Sequence, residues 1–128
     1  MSISQANYGS VGGGHSFYVD KSQYVKGTPI PVIDTKSGQA FTPNKAVVSV
    51  FSTGDSIRIL VFFIDFEAET MEFVYLYNNQ YQVESRPNLS YGAYFTASRN
   101  GATITLDATN TQANSYLNTG RFTLEAFD

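Results

Sequence analysis

The chain of 128 residues has no cysteine, no tryptophan and a single histidine. Without cysteine it forms no disulfide, has no thiol nucleophile and offers no thiolate to zinc or iron–sulfur clusters. Charge is scarce as well, since Asp, Glu, Lys and Arg make up 15% of the residues, against about a quarter in an average domain. The eight basic residues are scattered, so the sequence predicts no nucleic-acid partner.

Export and membrane signals are missing too. The first residues, MSISQANYGS, lack a basic segment followed by an apolar core, so we expect no signal peptide. The longest apolar run, residues 59–64 (ILVFFI), is too short to cross a bilayer, so we expect no transmembrane segment. These patterns predict a soluble protein made in the cytoplasm, with non-classical release or incorporation into a virion left open.

Short runs of β-branched and aromatic residues, separated by Gly, Pro, Asn and Ser, fill most of the chain. This pattern is typical of an all-β protein. We expect residues 1–14 to be a flexible N-terminal arm. Residues 15–128 are expected to form one antiparallel two-sheet β-sandwich, jelly-roll-like, with a closed barrel as the second choice. Eight or nine strands are predicted, near residues 15–20, 23–33, 45–51, 56–66, 71–77, 80–84, 92–99, 102–107 and 116–127.

Two hairpins can be predicted with their registers. Asn100-Gly101 is a strong signal for a two-residue turn, which makes one face of the hairpin apolar and the other polar. The pairs on the apolar face would be Arg99–Ala102, Ala97–Ile104 and Phe95–Leu106. Asn78-Asn79 predicts a second hairpin, because Asn tolerates positive φ. Its core face would carry the pairs Leu76–Tyr81 and Val74–Val83, and its outer face Phe73, Tyr75, Tyr77, Gln80, Gln82 and Glu84.

Two further segments indicate positions within the sheets. Pro29 and Pro31 remove two backbone donors, so their segment is expected at a sheet edge or in an extended crossing. The strand predicted over residues 56–66 becomes apolar on both faces in its second half. We therefore expect that strand to lie in the middle of a sheet, with cover from a second sheet on one face and from a loop or a partner subunit on the other.

The stretch GGGHS before the first strand invites a catalytic interpretation. A phosphate-binding loop needs a lysine and a following helix, and neither is present after Gly14. His15 has no nucleophile motif beside it and no second histidine to share a metal ion. We interpret the glycines as the lead-in to the first strand and His15 as a structural or surface residue, and we assign no catalytic residue.

The one local cluster of charge is the acidic segment DFEAETME. On an extended chain Asp65, Glu67 and Glu69 point to one side, which makes them a weak calcium candidate. A solvated turn between two strands is the favoured interpretation. No other metal or cofactor is expected.

Candidate binding residues come from a tyrosine- and amide-rich surface. Flat aromatic rings stack on the C–H groups of sugars, and amides and carboxylates bind the hydroxyls. The hairpin face offers Tyr75, Tyr77, Gln80 and Gln82, and the two loops that follow offer Asn88, Tyr91, Tyr94, Asp107, Asn110 and Asn114. The alternative is that Tyr75 and Tyr77 pack against the second sheet, with their hydroxyls at its rim.

Two functional classes remain open. The first is a non-enzymatic, lectin-like module for neutral carbohydrate or a protein surface, such as the recognition part of a toxin. The second is a structural assembly protein of a phage or virion type, because a polar, tyrosine-rich surface, a flexible arm and a central strand that is apolar on both faces suit self-assembly. A small hydrolase comes third. In either of the first two classes we expect a homo-oligomer.

Overall fold

The computed structural model describes residues 14–52, 58–77, 80–86, 88–91, 95–108 and 121–128. Within these ranges all regular structure is β, and no helix there is suited to crossing a membrane. Ten strands are seen, two of them only two residues long. They are β1 (Ser16–Lys21), β2 (Ile30–Pro31), β3 (Lys45–Ser52), β4 (Arg58–Asp65), β5 (Thr70–Tyr77), β6 (Gln80–Arg86), β7 (Ser90–Tyr91), β8 (Phe95–Asn100), β9 (Thr103–Ala108) and β10 (Arg121–Phe127).

The strands form two antiparallel sheets, which confirms the predicted two-sheet sandwich. The larger sheet has the order β1-β10-β3-β4-β5-β6, and the smaller one has the order β2-β9-β8-β7. Consecutive strands β3 to β6 are neighbours, so this part of the larger sheet is a meander. The last strand, β10, lies between β1 and β3 and pairs with both.

The core lies between the sheets and follows the two-residue period of the strands. In β4, Leu60, Phe62 and Ile64 are buried, and their neighbours in sequence are less so. Phe62 joins the sheets, because its ring stacks on Phe73 of β5 at 4.9 Å and meets the edge of Phe95 of β8 at 4.8 Å. Aromatic pairs of this kind add stability beyond their buried area.

The predicted strand over residues 23–33 is reduced to Ile30–Pro31 at the edge of the smaller sheet. The expected edge position of the proline segment is confirmed. The residues before β2 run as a loop in which Tyr24 is buried, with its ring stacked on Phe122 at 4.9 Å. Two prolines leave too few backbone donors for a longer strand ladder. The side chain of Tyr24 therefore occupies part of the edge of the smaller sheet.

The β8–β9 hairpin has the predicted faces but not the predicted pairs. Asn100 pairs with Thr103, so the turn residues are Gly101 and Ala102 rather than Asn100 and Gly101. Gly101 has φ +58°, and no positive φ occurs at Ala102, which matches a turn with glycine at its first central position. Each β8 residue therefore pairs two positions further along β9. Because the side-chain period is also two, the apolar face stays apolar.

The β5–β6 hairpin shows the opposite error. Its predicted pairs are confirmed, since Leu76 pairs with Tyr81 and Val74 with Val83. The assignment of faces is wrong, because Phe73 is buried in the core whereas Val83 is exposed. The turn residues Asn78 and Asn79 lie outside the described ranges.

Strand β4 lies within the larger sheet between β3 and β5, as expected. Cover was expected from a second sheet on one face and from a loop or a partner subunit on the other. The smaller sheet covers the core face, and Phe63 on the opposite face is 44% exposed, so cover of that face by a partner subunit stays a prediction. Of the predicted arm, residues 1–14, all but Gly14 lie outside the described residues, as do residues 109–120 before β10.

Candidate functional site

The larger sheet presents an apolar surface on the side away from the core. Strand register brings outward-facing residues of neighbouring strands into rows, such as Ser49–Val61–Val74–Val83. We call this surface the apolar face. Its members are Val47, Phe51, Ile59, Val61, Phe63, Val74, Leu76 and Val83.

Several of these side chains are open to solvent. Phe51 is 40% exposed and Val83 53%. In the part of the chain that the structure describes, six large hydrophobic residues are exposed, and four of them lie on this side of the larger sheet: Tyr18, Phe51, Phe63 and Val83. Isolated exposed hydrophobics are ordinary, but a contiguous set marks a surface that binds something.

A cleft of about 690 Å³ opens at one end of the apolar face. Phe63, Phe127 and Val47 are among its apolar lining residues, and Lys45, Asp65 and Glu72 contribute charged groups. Because Phe63 belongs to both features, the cleft is continuous with the apolar face. An aromatic or aliphatic side chain would suit its lining better than a fully polar group.

Charged residues lie around the apolar face rather than within it. In the row of residues that contains Phe63 of β4, Glu72 is its neighbour on β5. On the other side the row continues through Val47 of β3 to Glu125 of β10. At the β1 edge, Arg121 donates to Asp20 at 2.6 Å, and this hydrogen bond raises the pKa of Arg121. The centre, around Val61 and Val74, carries no charge. An apolar centre with a polar rim is the usual anatomy of a protein interface.

His15 takes part in a clasp between the first and last described residues. Its Nδ1 lies 2.7 Å from Oδ2 of Asp128, and its backbone N–H donates to Oδ1 at 2.8 Å. The ring stacks on Phe41 at 5.3 Å between centroids. The hydrogen bond to Asp128 raises the pKa of His15. These contacts are those of a structural histidine, in line with the interpretation from the sequence.

Asp34 is a second structural carboxylate beside the clasp. Backbone N–H groups of Ser16 and Ser37 donate to its two oxygens at 3.0 and 2.8 Å. These hydrogen bonds lower its pKa to about 2. The carboxylate therefore anchors the start of β1 to the turn that follows residue 34.

The proposed sugar-binding residues are split between the two sheets. Tyr75 lies on the core side of β5, half-buried, with its ring 6.1 Å from that of Phe73. By register, Gln82 pairs with Tyr75 and Gln80 pairs with Tyr77. For Tyr75 the packed alternative is therefore the observed one.

The remaining predicted binding residues belong to the smaller sheet or to undescribed segments. Asn88 accepts a hydrogen bond from the Ser90 N–H at 3.0 Å, and Asp107 accepts one from Ala108 at 2.8 Å. Tyr91 lies in β7, which contacts β5. Tyr94, Asn110 and Asn114 lie outside the described residues.

The calcium candidate assumed an extended chain, and this premise is wrong. Residues 66–69 form the turn between β4 and β5. Asp65 Oδ1 accepts hydrogen bonds from the backbone N–H groups of Glu67 and Ala68, each at 3.0 Å. Glu69 takes φ +57° within this turn. Across the described ranges, no three acidic or histidine side chains are placed to hold a metal ion.

No protein-family model, curated protein or solved structure matches the chain. The candidate site therefore depends on the geometry of this chain alone.

Sequence reasoning missed the residues of the apolar face, although their signal was visible. The run ILVFFI is apolar at both odd and even positions, so both faces of β4 had to be apolar. The prediction placed a second sheet over one face and a loop or a partner subunit over the other. In the structure the smaller sheet covers the core face, and the other face, which carries Phe63, is open to solvent.

Proposed function

We propose that this protein is a non-enzymatic assembly protein that associates with copies of itself through the apolar face. The observation that supports the proposal is the uncovered outer side of β3, β4 and β5, on which Phe51 and Phe63 are exposed. Removing apolar surface from water contributes about 25 cal/mol per Å². A surface of this kind is stabilised whenever a complementary apolar surface covers it.

The size of the sheet agrees with an interface. Six strands of six to eight residues span about 29 Å by 25 Å, or about 700 Å² in projection, at ordinary strand spacing. A standard protein interface buries about 800 Å² on each partner. One side of the larger sheet is therefore large enough to hold a stable pair.

A second copy suits the surface better than a membrane does. Anionic lipid attracts basic residues, whereas the rim here includes Glu72, Glu125 and Asp20. The best complement of a twisted sheet is another sheet of the same twist, packed about 10 Å away. A second copy supplies such a sheet, and the small net charge of −3 gives little repulsion between copies.

Sedimentation velocity tests the proposal. The chain should sediment as a species larger than its 14.1 kDa monomer. Phe63→Ser and Val83→Lys should weaken association about tenfold or more, because each removes exposed apolar area from the apolar face. Val25→Ser is the matched control, because Val25 is 63% exposed but lies in the loop before β2.

Far-UV circular dichroism must show that each variant is folded. A wild-type chain that stays monomeric at about 100 µM, well above the dissociation constants of ordinary stable interfaces, would refute the assembly function. Equal weakening by Val25→Ser and by the two face variants would show that association uses another surface.

Carbohydrate binding is the second candidate, and one arrangement favours it. On the outer side of the smaller sheet, register aligns Ser90, Thr96 and Asp107 in one row and Ser98 with Thr105 in the next. Hydroxyl and carboxylate groups on a flat surface are able to bind sugar hydroxyls. A glycan array with Asp107→Ala as the comparison tests this candidate: binding that the variant loses would support it, and silence across the array would count against it.

A further inference from the structure

We infer that assembly stops at a two-fold dimer in which Phe51 of each copy enters the cleft of the other. This inference rests on the proposed self-association. It adds the symmetry of the pair and the side chain that fits the cleft. The cleft and Phe51 lie at opposite ends of the same strand, β3, which begins at Lys45 and ends at Ser52.

The spacing along β3 fixes where the symmetry axis must run. Lys45, in the cleft wall, and Phe51 are six residues apart, or about 20 Å along a strand. A two-fold axis in the plane of the interface, perpendicular to β3 and level with Val48, exchanges these two positions. Each copy then presents Phe51 to the cleft of its partner. Such an interface is isologous, with residue i against j and j against i.

Phe51 is the side chain best placed to fill the cleft. Of the other exposed hydrophobics on this side, Phe63 lines the cleft itself, and Tyr18 lies in the edge strand β1. Val83 lies in β6, at the opposite edge of the sheet. Phe51 is therefore the exposed aromatic ring on an inner strand that does not itself line the cleft, and the cleft offers it the rings of Phe63 and Phe127.

Charge distribution favours this two-fold axis over one that runs parallel to the strands. The charged end of the surface, with Lys45, Asp65 and Glu72, would lie over the end that carries Phe51, Ile59 and Leu76. Arg121, which pairs with Phe51 at that end, would lie over Phe127 of the other copy, so no like charges lie directly opposite each other. A two-fold axis parallel to the strands, between β3 and β4, would instead place Glu125 of one copy over Glu72 of the other, and facing like charges oppose association.

A closed two-fold pair makes a definite prediction about mass. Because both copies use the same surface, the pair leaves no apolar face free to add a third copy. The assembled species should therefore have twice the 14.1 kDa mass of the chain at all concentrations above the dissociation constant. Larger species that grow with concentration would overturn the inference.

A single introduced cysteine locates the axis, because the natural chain has none. Ser49 lies on the apolar side of β3, one residue from the axis, so the two Ser49 Cα atoms should be about 12 Å apart. Ser49→Cys should cross-link with a short bis-maleimide. The control, Ser98→Cys, is exposed on the outer side of the smaller sheet and should not. Thr123→Cys, opposite Ser49 in the same row, is the substitute if Ser49→Cys does not fold.

Phe51→Ala completes the test and should weaken the dimer about tenfold or more. Dimeric mass, cross-linking at residue 49 but not at 98, and loss of affinity in Phe51→Ala would support the inference. If Phe63→Ser dissociates the assembly but the Ser49→Cys pair does not cross-link, the two-fold arrangement is wrong and the assembly function stands. A monomeric wild-type chain would contradict both the two-fold dimer and the assembly function.

Discussion

Replacing Tyr24 by Phe should destabilise the fold through the loss of one oxygen atom. The Tyr24 hydroxyl accepts a hydrogen bond from the backbone N–H of Leu106 at 3.0 Å. It donates to the carbonyl oxygen of Thr28 at 2.8 Å, and the carbonyl oxygen of Leu106 is a second acceptor at 3.0 Å. The hydroxyl fills the edge of β9 beyond the short strand β2. In the Tyr24→Phe variant the Leu106 carbonyl oxygen would still accept a hydrogen bond from the N–H of Gly27 at 2.8 Å. The Leu106 N–H, by contrast, would lose its acceptor.

The expected cost follows from that buried donor. An unsatisfied buried N–H costs about 1–3 kcal/mol, and the retained phenyl ring still stacks on Phe122, so no cavity term is added. For 128 residues the unfolding entropy is about 0.27 kcal/mol/K, so each kcal/mol lowers the melting temperature by about 4 °C. The variant should therefore melt about 4–12 °C below the wild type.

Urea unfolding followed by far-UV circular dichroism measures this difference, since the chain has no tryptophan to report by fluorescence. Tyr18→Phe is the matched control: it removes the same atom from a tyrosine that is 58% exposed, and it should leave stability within about 0.5 kcal/mol of wild type. If the free energy of unfolding of Tyr24→Phe also fell within that range, the assigned role of the hydroxyl would be wrong.

Four further predictions concern the clasp, Asp34, the hairpin and the core. The folded-state pKa of His15 is raised above 6.5. Its pairing with Asp128 therefore stabilises the fold fully below pH 6.5, and this stabilisation is lost as the pH rises through the folded pKa. In urea unfolding, His15→Gln should lose more free energy of unfolding relative to wild type at pH 5.5 than at pH 9. Asp34, with its pKa lowered to about 2, contributes above pH 3.8, so the deficit of Asp34→Asn should shrink as the pH falls from 3.8 toward 2, and a constant deficit would contradict this role. Gly101→Val should cost about 1–3 kcal/mol because a β-branched residue must adopt φ +58°, whereas Gly101→Asn should cost less, and an equal melting temperature for the two variants would argue against this backbone conformation. Phe62→Ala should cost about 3–5 kcal/mol in the same unfolding assay, since its ring joins both sheets, and a loss below about 1 kcal/mol would show that the core does not depend on it.

The sequence predicted the fold class because strand periodicity is a local property. Alternation placed most strands within a few residues of their observed ends, and the shift of the β8–β9 turn by one residue left the faces unchanged. An Asn-Gly pair and a Gly-Ala pair can both make a two-residue turn. The choice between them depends on positive φ, which among residues 100–102 only Gly101 adopts.

The faces of β5 and β6 could not be chosen in the same way. Met71, Phe73 and Tyr75 on one side of β5 are as apolar as Val74 and Leu76 on the other, so alternation does not say which side is buried. The position of the second sheet decides that, and it is a long-range property. The same ambiguity in ILVFFI hid the apolar face, whose exposure depends on the absence of a covering layer.

The position of β10 has a consequence for how the chain folds. Strand β1 has β10 as its one partner in the larger sheet, and the pair Ser16–Phe127 joins residues more than a hundred positions apart. The meander β3 to β6 forms from neighbours in sequence, but the buried edge beside β3 stays open until Phe122 and Leu124 arrive. Non-local closure of this kind slows folding. During synthesis the edge of β3 therefore stays unpaired until β10 has been made. A chain cut before residue 121 would lose β10 and would leave β1 without its partner, so the sheet would lose two strands rather than one.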